Sequence, residues 1–165
     1  GKQPSQKKQP DQIEPTDSAQ DLAQQNVFFL LGVNDGNPEE KEQFLDELQQ
    51  VIWEDFLEND LELLITKQEM NQVNKTLDDE SLSDLDKQEK VINYIEELIP
   101  DLEEIMLEKA LELKQDMVKE RVAGMKEYYA DSDQALGLIN QAEQAFEQGK
   151  WQTGAELLNQ ATEQA

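Results

Sequence analysis

Large apolar residues return at three- and four-residue steps along most of this chain, and no feature constrains its fold more. Phe44, Leu45, Leu48, Val51, Ile52 and Phe56 follow that rule, and Leu57, Leu61 and Leu64 carry it on to about Ile65 unless the chain breaks at Glu58-Asn59-Asp60. Later, Val91, Ile92, Ile95, Leu98 and Ile99 repeat it. Such spacing puts apolar side chains on one face of a helix. No segment alternates apolar and polar residues with β-branched enrichment between turns, so no strand is predicted. The reading is all-α: an irregular helical bundle of about six or seven helices closed by a C-terminal αα-hairpin.

Local signals place the boundaries. Leu22, Val27, Phe28, Leu30 and Leu31 form a short apolar segment that Gly32 stops. Asn37-Pro38-Glu39-Glu40 opens a helix, with Pro at the first helical position and two acids at the positive end of the dipole. Thr66 and Glu69 have capping-box spacing, Ser83 caps the next helix, and Pro100 either ends that helix or opens the one after it. The longest helix is expected over 101–129. It carries one stripe through Leu102, Ile105, Met106, Leu113 and Met117 and another through Leu107, Leu111, Val118, Val122 and Met125. Two stripes imply neighbours on more than one side. After Asp131-Ser132-Asp133, the apolar set Ala135, Ile139, Ala142 and Phe146 is followed by Gly149 and by Trp151, Ala155, Leu158 and Ala161, which reads as a helical hairpin.

Charge decides what such helices can face. The chain has 14 Lys+Arg against 38 Asp+Glu, a formal net charge of -24, with no His and no Cys. That excludes disulfides, thiolate or imidazole metal sites, and Ser-His or Cys-His nucleophiles. It also argues against direct binding of nucleic-acid phosphates or an anionic membrane. The first 20 residues differ from the rest: Pro4, Pro10 and Pro15 punctuate a Gln- and Lys-rich stretch whose charges cancel, and Ile13 is its single large apolar residue. Residues 1–20 are expected to be a disordered tether, 21–130 an acidic helical bundle, and 131–165 a hairpin packed on it. A cytoplasmic location is favoured. The alternative is a surface lipoprotein anchored through a Cys upstream of Gly1, since a tether of this composition often follows such an anchor.

Two resemblances follow from particular residues. Phe29-Leu30-Leu31-Gly32, then Asn37-Pro38-Glu39-Glu40 through Phe44-Leu45-Asp46-Glu47-Leu48, then Ile95-Glu96-Glu97-Leu98-Ile99-Pro100-Asp101-Leu102 together resemble a family of uncharacterised acidic helical domains of candidate-phyla bacteria. That resemblance implies an all-helical fold and no mechanism. Ala142, Ala145, Phe146, Gly149, Trp151, Ala155, Leu158 and Ala161 resemble the joint between the two helices of a tetratricopeptide repeat. One hairpin alone implies a capping or peptide-docking element.

Carboxylates are the only abundant reactive groups, and acidic pairs on solvated helix faces arise by chance among 38 of them. The chain is therefore expected to be no enzyme, with no catalytic residue, no cofactor and no metal. The acidic turns at Asn34-Asp35 and Asp78-Asp79-Glu80 lack the spacing of a calcium loop and read as turn and capping chemistry. Aromatic residues are the better candidates. Trp53, Tyr128, Tyr129, Phe146 and Trp151 are the expected partner-binding residues of a non-enzymatic interaction or scaffolding module, which would dock a partner's helix or peptide in an apolar groove. A protein partner, favourably a basic one, follows from the charge. An acidic mimic of nucleic acid, occupying a basic protein, is the alternative.

Overall fold

The computed structural model describes residues 21–33 and 36–164; the expected tether at 1–20 and the Asn34-Asp35 turn lie outside them. Eight α-helices follow a helical turn at 21–24: α1 Val27–Leu31, α2 Pro38–Asp55, α3 Leu61–Leu64, α4 Lys67–Leu77, α5 Asp84–Leu98, α6 Leu102–Tyr128, α7 Asp133–Glu147 and α8 Trp151–Gln164. There is no strand among the described residues, so the fold is all-α. No described helix is long and apolar enough to cross a membrane. Two compact units share the chain. One is Pro38–Ala110; the other joins the described residues up to 37 to those from 111 onward. The boundary expected at residue 130 falls inside the second of these.

In the 38–110 unit the core contains Trp53, Phe56, Leu61, Val73, Val91, Ile95, Ile99 and Leu102. A π turn, Phe56–Asp60, separates α2 from α3, and the Leu61 N–H donates to the Phe56 carbonyl. In an unbroken α-helix, positions five apart lie about 140° from each other around the axis. The widened turn supplies one residue more, a correction of about 100°, and brings Phe56 and Leu61 into the same core. Both are fully buried. Lys109 holds the turn from outside, donating to Asp55 and, at 3.0 Å, to Asp60. The break thus falls where the sequence allowed one. Along α2, burial is less than the stripe suggests: Leu45 and Val51 are exposed, and Trp53 is the helix's buried residue. The Thr66–Glu69 capping box forms in full, and Ser83 Oγ accepts from the Asp86 N–H.

The other unit is built on the α7–α8 hairpin. Ser132 caps α7. Gly149, at φ 77°, closes the helix: its N–H donates to the Phe146 carbonyl and the Lys150 N–H to the Ala145 carbonyl. This is a Schellman turn, and its left-handed residue is one that Gly adopts without a Cβ clash. A Cβ on Gly154 would run into the Phe146 ring, so the ring can lie directly on α8. The C-terminal part of α6 joins Val118, Val122 and Met125 to the same core as Ala135, Ile139, Ala142, Ala155, Leu158 and Ala161.

The segment 21–33 completes this unit as a strap. Leu22 and Leu30 enter the core, and α1 packs against α8. Its backbone ends are held by cations of α6. The Lys114 ammonium donates to the carbonyls of Leu22, Ala23 and Gln25. The Arg121 guanidinium donates to the Leu30 carbonyl and to Asn159 Oδ1, each at 2.8 Å. These carbonyls lie at the negative dipole ends of short helical turns, where a cation is favoured, although that of Leu22 also accepts from the Gln25 N–H. In exchange, the Asp21 carboxylate accepts from the Trp151 N–H at 2.9 Å, in the first turn of α8.

Candidate functional site

The concavity that best fits an apolar ligand lies between α6 and α7. Val118, Val122 and Ala123 of α6, Phe146 of α7 and Trp151 at the start of α8 supply its apolar lining; Lys119 and Lys126 stand on the α6 lip, Glu143 and Glu147 on the α7 lip. Its volume is about 480 Å³, enough for a few side chains and within the usual range of ligand clefts. The sequence places these groups by helical spacing. Val118 and Val122 are one turn apart on α6, and Glu143, Phe146 and Glu147 are i, i+3 and i+4 on α7.

The aromatic part is firmly set. The Phe146 and Trp151 rings lie 5.2 Å apart at 31°, supported beneath by the absent side chain of Gly154. Trp151 is 7% exposed, and its indole N–H is buried with no acceptor among the described residues. Lys126 pairs with Glu143 at 2.7 Å, bridging the two lips. Lys119 forms no ion pair among the described residues.

Of the five aromatic candidates, the structure brings two together here, Phe146 and Trp151. Trp53 belongs to the 38–110 core, 5% exposed and stacked on Phe56. Tyr128 and Tyr129 end α6 edge to face, with Tyr128 81% exposed and Tyr129 packed on the edge of the hairpin core, and neither lines the groove. The α6 wall was not among the expected contacts. Its signal was present in the second apolar stripe of the long helix, through Val118 and Val122.

No family, no curated protein and no solved structure matches the chain. The groove's chemistry must therefore speak for itself.

A second hollow, of about 530 Å³, lies between the strap and α8 beside Phe29, Gly32 and Asn159. Its cation is Arg121, already engaged by Leu30 and Asn159, and burial depresses the basicity of that guanidinium. Elsewhere the acids behave as turn and ion-pair groups. Asp79 accepts first from the hydroxyl and then from the N–H of Ser81, which holds its carboxyl below the ordinary value. Asp55 is likewise lowered, first by the hydrogen bond from Lys109 and then by that from Asn59. No three potential metal-ligating side chains converge among the described residues.

Proposed function

We propose that this chain is a non-enzymatic protein-interaction module whose α6–α7 groove docks an apolar helix or peptide of a partner protein. The observation that carries the reading is the open apolar cleft floored by Phe146 and Trp151. Aromatic anchors of this kind dominate binding where they can be desolvated. Two lysines on one lip and two glutamates on the other leave the site nearly neutral within a chain of net charge -24. The wider acidic surface then acts at a distance, speeding encounter with basic partners and opposing acidic ones.

The test is site-specific crosslinking. A photo-reactive residue in place of Ala123, exposed on the groove wall, should give a discrete adduct with a partner from the native cell. The same residue in place of Glu127, exposed on α6 but outside the groove lining, should not. Equal labelling at both positions, or none at 123, would refute the groove as the contact.

A further inference from the structure

The two flanks of α6 are built alike, but only one is filled. On the flank toward α8 lie Lys114 and Arg121, seven residues apart, gripping the carbonyls of the strap. On the flank toward α7 lie Lys119 and Lys126, also seven residues apart, at the lip of the groove. Each pair is displaced from the other by five positions, about 140° around the helix, which sets them on opposite sides of the core-facing line through Val118 and Met125. The strap flank shows what such a flank accepts. Its occupant is a short helical segment that buries Val27, Phe28 and Leu30, has no acidic residue in its first turn, and ends at a left-handed Gly with carbonyls exposed to a cation.

We infer that the groove receives a second segment of the same kind, an uncharged one- to two-turn apolar helix ending in Gly, presented by a partner protein, with its terminal carbonyls taken by Lys119. This rests on the groove-docking reading above and narrows it from any apolar helix to a strap-like one. Charge selects for that occupant. Lys126 is already neutralised by Glu143, whereas Lys119 has no ion pair among the described residues. Glu143 and Glu147 on the opposite lip disfavour acidic peptides. A helix C-terminus brings about half a negative charge and unpaired acceptors without a carboxylate. Lys114 shows an ammonium of this helix donating to three backbone carbonyls where a helical turn ends.

The experiment uses the full chain carrying Trp53→Phe, so that Trp151 is the sole tryptophan. The probe is a synthetic peptide with the sequence of residues 26–33, and the comparator is a longer amphipathic Leu/Lys helix. Saturable change in Trp151 emission with the strap peptide is expected. Lys119→Glu should weaken it about tenfold, the loss of one charge-assisted hydrogen bond. Ala123→Phe, at an exposed position, should fill the cleft and abolish binding while the thermal unfolding curve stays that of the parent. Binding that survives Ala123→Phe would mean the peptide displaces the chain's own strap, and the proposal falls. Binding of the comparator alone, blocked by Ala123→Phe, overturns the strap-like occupant but leaves groove docking standing. Failure of both peptides overturns both. A concentration-dependent dimer in sedimentation that Ala123→Phe removes would assign the groove to a second copy and overturn the partner.

Discussion

Small residues close one unit and large ones the other. In the hairpin unit, Ala135, Ala142, Ala145, Gly154, Ala155 and Ala161 are buried along α7 and α8, so the two backbones approach closely and the bulk comes from Ile139, Leu158 and the strap. In the 38–110 unit, Trp53, Phe56, Leu61 and Ile95 fill the centre, and the helix that carries three of them must widen by one residue to aim them together. The cations differ as well. Lys109 answers two carboxylates, while Lys114 and Arg121 pass over a surplus of acids and answer backbone carbonyls. The lesson is that helix ends compete with side-chain acids for cations wherever a short segment is laid across a long helix. Exposed ion pairs contribute little, whereas a buried carbonyl without a donor is costly.

That contrast can be broken by experiment. Phe56→Ala should remove about 4 kcal/mol, because a large buried ring leaves a cavity, and hydrogen exchange should show the loss centred on 38–110. Leu158→Ala should remove about 3 kcal/mol, with the loss centred on 111–164 and 21–33. If either variant lowers protection equally in both units, the separation into two cores fails. Arg121→Ala should cost about 2 kcal/mol through two charge-assisted hydrogen bonds, and residues 21–33 should become the first to exchange. Lys109→Met should cost about 1 kcal/mol at most, since the bridge is partly solvated and its removal leaves Asp55 beside Asp60; a urea midpoint unchanged within error would show the π turn to be held by packing alone.

The smallest effect is a pH dependence. The Asp55 carboxyl is lowered in the folded state, chiefly by the hydrogen bond from Lys109. Its contribution is complete above the unfolded carboxyl's range and is lost as pH falls through the lower folded value. The gap between the urea midpoints of the parent and of Lys109→Met should therefore narrow as pH falls from about 5 to about 3. Parallel curves would remove Asp55 from the account.

What could be read from the sequence was local. Thr66 with Glu69, Ser83, Ser132, Gly32 and Gly149 act within a few residues of themselves, and each stands where its spacing put it. The all-α class and the terminal hairpin follow from the same short-range periodicity. The π turn was legible only as a possible break, because its cause is that Phe56 and Leu61 must enter one core, a demand set by α4 and α5 rather than by the helix itself. The strap's clamps join residues about ninety positions apart and leave no mark in either neighbourhood. For the candidate site, Phe146 and Trp151 were visible as aromatics around a Gly turn. Lys119 and Ala123 were not, because a lysine and an alanine on a long helix look the same whether or not a cleft lies beside them.

The order of the chain gives the strap a history as well as a position. Asp21 and the Trp151 it contacts are 130 residues apart. At roughly 5–20 residues per second, translation separates them by on the order of ten seconds. For most of that interval Val27-Phe28-Phe29-Leu30-Leu31 has been made while its seat on α6 and α8 is incomplete. In a nascent chain this apolar segment therefore waits without its seat, and a chain stalled shortly before residue 151 should show it open to protease, whereas the finished chain should protect it.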